Sequence, residues 1–135
     1  MKADVRIVEP DARDAKFWMQ MGPIFVGQDV LKELPYFTDK GYTWFLAEAR
    51  AKVLGCAAVE LNGEIGYLHH LWVTPAFRGN GVGTQLAEAR LKYLRDKGAK
   101  LARAIVREGW VKGLKFLGFK TRTKRGQYFV MEKEL

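Results

Sequence analysis

The dipeptide Asn62-Gly63 lies between two β-rich runs and constrains the fold more than any other feature of this sequence. Asn-Gly favours a two-residue hairpin turn, because both central residues of that turn need positive φ. The flanking runs, residues 52–61 and 64–74, are rich in β-branched, aromatic and aliphatic side chains. A similar run at 43–49 precedes them, and Pro75 ends the third. The sequence therefore predicts three consecutive antiparallel strands.

The remaining elements are inferred from hydrophobic periodicity and from the positions of proline and glycine. The predicted helices are residues 10–21, 29–34, 82–97 and 110–117, and the additional strands are residues 3–9, 101–106, 119–123 and 127–132. The resulting order, β-α-α-β-β-β-α-β-α-β-β, predicts a mixed α+β sandwich and argues against a doubly wound parallel sheet.

The length and the absence of repeats, linkers and low-complexity segments predict a single domain covering residues 1–135. No stretch approaches the ~18 consecutive apolar residues that a membrane span needs, and the N-terminus MKADVRIVEP lacks the apolar run of a secretory signal. Cys56 is the only cysteine, which excludes an intrachain disulfide and a cysteine-rich zinc site. We therefore expect a cytoplasmic protein with no metal and no membrane partner.

The net charge of +8 and the pI near 9.7 indicate a surface that attracts polyanions. The charge is concentrated towards the end of the chain, at Lys112, Lys115, Lys120, Arg122, Lys124, Arg125 and Lys133. Two interpretations stay open at this point. The charges either form a solvated surface, or they meet an anionic partner such as a phosphorylated cofactor, a nucleic acid or an acidic protein.

A glycine-rich turn between the third strand and the helix at 82–97 is the main candidate for a ligand site. Glycines stand at positions 79, 81 and 83, and Arg78 precedes them. Helix N-termini carry unpaired N–H groups that bind phosphate oxygens, and glycine lets the backbone approach the anion. No lysine follows Gly83, which excludes a P-loop, and Thr84 stands where a dinucleotide fingerprint has its third glycine. A purely structural turn is the alternative.

The pattern Arg78-x-x-Gly81-x-Gly83, preceded by Leu71-Trp72-Val73-x-Pro75, resembles the acetyl-CoA signature of the GNAT family of N-acetyltransferases. The resemblance covers nearly the whole chain. Residues 43–59 are similar to the family's second and third strands, and Phe116-Leu117-Gly118-Phe119 to its late helix-to-strand junction. The resemblance implies a mixed, mostly antiparallel central sheet flanked by helices, with acetyl-CoA as the acyl donor.

The resemblance also implies how the donor is held. The pyrophosphate would be bound by Arg78 and by the backbone N–H groups of Gly79, Asn80, Gly81, Val82, Gly83 and Thr84. The backbone of Leu71, Trp72 and Val73 would pair with the pantetheine arm, which enters a gap between the strands at 64–74 and 101–106. One N–H group near Leu71–Val73 would polarise the thioester carbonyl.

Transfer to an amine needs a general base, because only the neutral amine attacks the thioester. The two histidines of the chain, His69 and His70, lie on the strand before the turn. By strict alternation one face carries Tyr67, His69, Leu71 and Val73, and the other carries Leu68, His70 and Trp72. A β-bulge, which the family commonly has here, would shift this order.

The arylalkylamine acetyltransferases of this family resemble the chain in having histidines at the positions of Tyr67 and His69. We therefore predict His69 as the base, acting directly or through water. A buried histidine bound to a backbone group is the alternative for His69, and His70 is predicted to be structural.

The general acid is where the chain departs from the family. A tyrosine commonly stands four residues before the glycine that matches Gly118, but this chain has Leu114 there. The thiolate would leave unaided or through water, Tyr67 would supply the proton, or the protein would bind acetyl-CoA without turnover. Cys56 lies in an apolar strand and is predicted to be a core residue rather than a nucleophile. Most of a set of six aromatic residues are also predicted to be core: Phe17, Trp18, Phe25, Tyr36, Phe37 and Trp44. The alternative is that they line an acceptor pocket, since the resemblance implies that residues 22–41 form the acceptor wall.

The predicted function is direct transfer of an acetyl group from acetyl-CoA to a primary amine, in a ternary complex without a covalent enzyme intermediate. The acceptor would be a small molecule or a protein, and the basic end of the chain favours an anionic one. The alternatives are a catalytically silent acyl-CoA-binding module and a basic nucleic-acid-binding module in which residues 78–83 form only a turn. Family members often dimerise, and the final hairpin, residues 118–132, would be one route.

Overall fold

The structure is a computed structural model and describes residues 2–135. The strands are β1 (Asp4–Val8), β2 (Thr43–Ala49), β3 (Lys52–Asn62), β4 (Ile65–Val73), β5 (Leu101–Arg107), β6 (Lys120–Arg125) and β7 (Tyr128–Glu134). The helices are α1 (Ala15–Phe25), α2 (Gln28–Glu33), α3 (Val82–Asp96) and α4 (Glu108–Phe116), with short 3-10 turns at Pro10–Ala12 and Pro75–Phe77.

The strands form one sheet in the order β1-β2-β3-β4-β5-β7-β6. Its strand pairs are antiparallel except β4 with β5, which run parallel. The predicted α+β class, the mostly antiparallel sheet flanked by helices and the order of elements are confirmed. None of the described helices is long and apolar enough to cross a membrane.

The first helix begins later than predicted. Pro10–Ala12 is a separate 3-10 turn, and α1 starts at Ala15 and continues to Phe25. Asp14 sets this start, because its backbone is extended and its side chain accepts a hydrogen bond of 2.9 Å from the Phe17 N–H. Such a carboxylate cap satisfies a donor that the first helical turn leaves unpaired. The proline at position 10 was therefore the wrong start signal.

The described chain divides into two compact units. Unit 1 contains the residues up to Val59 together with His70–Arg90, and unit 2 contains Glu60–His69 and Leu91–Leu135. The single domain that the sequence predicts for residues 1–135 therefore stays a prediction.

Unit 1 is built around an aromatic and aliphatic core. The core residues are Val8, Phe17, Met21, Val30, Phe37, Tyr42, Trp44, Leu46, Cys56, Ala58 and Trp72. Asp39 fixes the loop before β2, since its carboxylate accepts hydrogen bonds from Arg13, from the Trp44 indole at 3.1 Å and from the Gly41 N–H at 3.1 Å. Partial burial opposes ionisation of Asp39, but the hydrogen bonds from Arg13 and Trp44 outweigh it and lower its pKa.

Unit 2 is built around β5, which pairs with β4 on one side and with β7 on the other. The parallel register joins Ile65–Tyr67 to Leu101–Arg103, and β7 follows β5 along its length. Ala102, Ala104 and Met131 are buried on one face of these strands. The opposite face carries Tyr67, Arg103, Ile105 and Glu132, and we call it the open face because Ile105 is 58% exposed there.

Strict alternation of side chains along β4 is interrupted at His70, whose φ is +31°, which favours the alternative of a β-bulge over unbroken alternation. A side chain at Gly66 would collide with Leu94 of α3, and five residues later Leu71 approaches Gly83 of the same helix. Side chains alternate between the two faces of a regular strand, so Gly66 and Leu71, five residues apart, should lie on opposite faces. Both face α3, which requires an irregularity between them. Leu71 and Val73 therefore lie on the α3 side, whereas Tyr67 and His69 lie on the open face.

Candidate active site

The turn after β4 is an open helix N-terminus. Gly79 and Gly81 have φ of +80° and +82°, a region that suits glycine. The first bond of α3 runs from the Gln85 N–H to the Gly81 carbonyl at 3.0 Å, so the N–H groups of Val82, Gly83 and Thr84 have no partner within the helix. A Cβ atom at either left-handed glycine would meet nothing within 4 Å. The turn therefore offers backbone donors and space for an anion.

Arg78 is fixed at this turn by three neighbours. Its guanidinium lies 4.7 Å above the Trp72 ring, and its Nε donates to the Val73 carbonyl at 2.8 Å. Its terminal nitrogens donate to the two carboxylate oxygens of Glu33, at 3.2 and 2.8 Å. These bonds occupy three of the five guanidinium N–H groups and leave two for a ligand. Sequence reasoning missed Glu33, which lies 45 residues away without a motif.

His69 lies on the open face beside a carboxylate. Its Nε2 is 3.1 Å from Oε1 of Glu60, and its ring stacks on Tyr67 with centroids 6.2 Å apart. About 30% of the side chain is exposed, so His69 is accessible to a substrate. Sequence reasoning missed Glu60 as a partner, because a two-residue turn at Asn62-Gly63 would put Glu60 opposite Ile65. In the structure β3 ends at Asn62 and β4 begins at Ile65, so the turn lies one residue later than the sequence suggests.

Tyr67 belongs to a polar network that crosses four strands, β4, β5, β7 and β6. Its hydroxyl accepts a hydrogen bond of 3.2 Å from Arg103, which also binds Glu132 at 2.6 Å. Arg122 donates to the other carboxylate oxygen of Glu132 at 3.2 Å. Burial of Glu132 opposes ionisation, but the two arginines outweigh it and lower its pKa, while the bond to Glu132 raises the pKa of Arg103.

His70 lies among core aromatics of unit 1 rather than on the open face. Its ring is parallel to Trp44 within 8° at 6.1 Å, and Phe37 and Tyr42 lie at 5.0 and 5.8 Å. The Thr38 N–H points to its Nε2 at 3.5 Å. This environment fits the predicted structural role of His70.

Cys56 and most of the aromatics singled out in the sequence belong to the core. Cys56 is completely buried, and burial raises the pKa of its thiol. A buried protonated thiol cannot accept an acyl group. Phe17, Phe37 and Trp44 are also buried, whereas Trp18 and Tyr36 are exposed.

The late helix α4 carries no tyrosine, and Leu114, which replaces the usual acid, is partly buried there. Arg107 and Trp110 stand at its start, where the family often has asparagine and alanine, and both are exposed. Tyr67, whose ring stacks on His69 with centroids 6.2 Å apart, is the phenol that the sequence offers in place of that tyrosine. Within residues 2–135 no three His, Cys, Asp or Glu side chains are grouped so as to hold a metal ion.

The model of the Acetyltransferase (GNAT) family matches residues 13–116. An uncharacterized N-acetyltransferase of Methanocaldococcus jannaschii is 27% identical over 89 residues, which cover 58% of this chain and 39% of that protein. The chain thus spans well under half of that relative.

Two crystal structures share the fold at low sequence identity. Escherichia coli ElaA has a TM-score of 0.82 at 14% identity, covering 98% of this chain and 99% of its own. The PaiA N-acetyltransferase of Thermoplasma acidophilum, solved in complex with coenzyme A, has a TM-score of 0.68 at 15% identity and covers 100% of both chains.

Proposed function

The chain belongs to the Acetyltransferase (GNAT) family, and we propose that it transfers an acetyl group from acetyl-CoA to a primary amine. The observation that carries this proposal is the open N-terminus of α3, where two left-handed glycines expose backbone N–H groups. That turn lies inside the family match. A relative of the same fold binds coenzyme A, which supports the same donor here.

In this proposal the donor is held largely by backbone. The N–H groups of residues 79–84 bind the pyrophosphate, and the remaining guanidinium donors of Arg78 add charge beside it. Leu71, Trp72 and Val73 pair with the pantetheine arm through their backbone. Glu33 keeps Arg78 at the turn before the donor arrives, which reduces the entropy lost on binding.

His69 is the proposed base. An ionised carboxylate only accepts hydrogen bonds, so Glu60 favours the tautomer of His69 that carries its proton on Nε2. The amine nitrogen attacks the thioester carbon, its proton passes to His69, and the carbon–sulfur bond breaks. The imidazolium that forms is stabilised by the neighbouring carboxylate of Glu60.

The departing thiolate takes a proton from water or from Tyr67. Arg103 donates to the Tyr67 oxygen at 3.2 Å and would stabilise the phenolate that the second route forms. No covalent enzyme intermediate is proposed, because Cys56 is completely buried.

Calorimetric titration with acetyl-CoA and with free coenzyme A tests the donor site. We expect micromolar binding by the wild type and none by Gly81→Glu, which puts a carboxylate where the pyrophosphate lies. Gly83→Ala is the matched control, since its added Cβ meets Leu71 and Val73 only at 3.9 Å. Absence of binding by the wild type would make the turn structural and remove the enzyme proposal.

A catalytically silent acyl-CoA-binding module is the second candidate, and Leu114 in place of the usual tyrosine favours it. It predicts the same coenzyme A binding but no turnover. Release of coenzyme A in the presence of an amine panel separates the two, because any amine-dependent acetyl transfer contradicts the silent module.

A further inference from the structure

The net charge of the chain is almost confined to unit 2. That unit holds 13 of the 23 lysines and arginines and 6 of the 15 acids, which gives +7, whereas unit 1 carries +1. The donor turn lies in unit 1 and binds through backbone. The excess charge of unit 2 is therefore separate from the residues of that turn, and a surface of this charge attracts anions.

Two arginines of unit 2 converge on a single carboxylate on the open face. Arg103 binds Oε2 of Glu132 at 2.6 Å, and Arg122 binds Oε1 at 3.2 Å. One negative charge thus faces two positive ones. Arg122 is 63% exposed and uses one N–H group in this contact, so most of its donors face solvent.

The cluster lies next to the proposed base. The Arg103 guanidinium is 5.7 Å from the centre of the Tyr67 ring, and that ring stacks on His69 at 6.2 Å. Ile105, the next residue on the same face of β5, is 58% exposed. An exposed apolar residue beside a charged cluster on one strand face fits an extended chain, which rises about 3.3 Å per residue.

Building on the proposed acetyl transfer, we propose that Arg103 and Arg122 form a subsite for a carboxylate of the acceptor. The acceptor is then an acidic peptide with a glutamate or aspartate within about three residues of the reacting amine. Planar guanidinium groups match carboxylates in a paired geometry, and the N–H groups of Arg122 that do not contact Glu132 are the ones offered to the acceptor.

The test uses two short peptides with one lysine and a blocked N-terminus, identical except for Glu or Gln two residues from the lysine. We expect the wild type to acetylate the Glu peptide with about tenfold higher kcat/KM, a difference of about 1.4 kcal/mol. Arg122→Gln should reduce this preference to within twofold. Lys124→Gln is the matched control, because Lys124 lies over the Phe129 ring at 5.2 Å, away from the open face, and should keep the tenfold preference.

Binding of the same labelled peptides by fluorescence anisotropy, without acetyl-CoA, separates this inference from the proposed function. A Glu preference in binding without any transfer would support the subsite and remove the acetyltransferase proposal. Transfer without a Glu preference would overturn the subsite and leave the proposed function standing. Equal loss in Arg122→Gln and Lys124→Gln, or a phosphoserine peptide or RNA oligonucleotide that outcompetes the Glu peptide, would also overturn it.

Discussion

Unit 1 and unit 2 offer different kinds of groups to a ligand. In unit 1 the charged side chains near the turn are already paired, as Arg78 is with Glu33, and the available donors are backbone N–H groups of α3. In unit 2 the groups are side chains on the open face, led by His69 with Glu60 and by Arg103 with Glu132. The proposed acetyl-CoA site therefore depends on backbone conformation, and the proposed chemistry of the open face depends on side-chain identity.

This difference predicts which substitutions each unit tolerates. A site made of backbone N–H groups is damaged when a glycine with positive φ is replaced by another residue. Most substitutions of the side chains around it should leave ligand binding unchanged. A side-chain site on an open surface has the opposite behaviour, because truncation removes the functional group and leaves the fold intact. The predictions below separate the two units by these rules.

The largest effect is expected for His69→Ala. Removing a general base lowers kcat by about 100-fold, corresponding to about 2.7 kcal/mol, because the amine must then lose its proton to water. The Kd for acetyl-CoA should stay within about twofold, since the donor is held by the turn of unit 1. Steady-state kinetics and calorimetry on the same preparation measure both. If acetyl-CoA binding fell as much as turnover, His69 would contribute to binding, and the assignment of binding to unit 1 and catalysis to unit 2 would be contradicted.

Asp39→Asn should destabilise unit 1 without touching the open face. Hydrogen bonds to a charged group contribute about 2 kcal/mol, and Asp39 accepts them from Arg13 and Trp44. Its folded pKa is lowered from 3.8, so its contribution is present above about pH 4 and is lost as the pH falls through the folded pKa. Urea unfolding at pH 7 and pH 3 should show a difference from the wild type that shrinks in acid.

The exposed acid Asp11 supplies the control for that experiment. Asp11→Asn should change the free energy of unfolding by less than about 0.5 kcal/mol at both pH values. An equal effect of the two substitutions would mean that net charge, rather than the bonds of Asp39, determines the acid sensitivity.

The sequence predicted the middle of the chain well, because its signals there are local. Asn62-Gly63 indicated the hairpin, β2 has the predicted bounds of 43 and 49, and α3 ends one residue before the predicted 97. Gly98, with φ of +88°, ends that helix as its residue type suggests. Short-range steric preferences are sufficient for such features.

The side-chain partners could not be read in this way, because they are set by register and packing. Glu132 lies opposite Arg103 only through the pairing of β5 with β7, and the two are 29 residues apart. The position of the irregularity in β4 was also not readable from residue type, since histidine at φ of +31° carries no signal comparable to glycine, and only the family resemblance suggested a bulge on this strand. The turn was thus predictable as a backbone motif, and the network on the open face was not.

Gly81→Ala tests whether the donor site depends on backbone conformation alone. At φ of +82° an alanine costs roughly 1–2 kcal/mol of local strain, which the turn relieves by shifting its N–H groups. We expect the Kd for coenzyme A to rise about tenfold, with kcat at saturating donor within about twofold of the wild type. Gly83→Ala lies in the helix, where alanine is favoured, and should bind like the wild type. If both variants bound coenzyme A equally weakly, the added methyl group would be obstructing the ligand, and the backbone conformation at Gly81 would not be the cause.

The smallest effect is expected for Glu60→Gln, which removes a positioning residue rather than the base. The amide keeps the size of the carboxylate but no longer fixes the proton on one nitrogen of His69, so kcat should fall about fivefold with unchanged KM for the donor. A double-mutant cycle identifies the cause, because Glu60 has no route to the reaction once His69 is alanine. Glu60→Gln should then change the residual rate of His69→Ala by less than about twofold. If Glu60→Gln lowered the residual rate of His69→Ala by a further fivefold, Glu60 would act without His69. The carboxylate of Glu60, and not His69, would then be the better candidate for the general base.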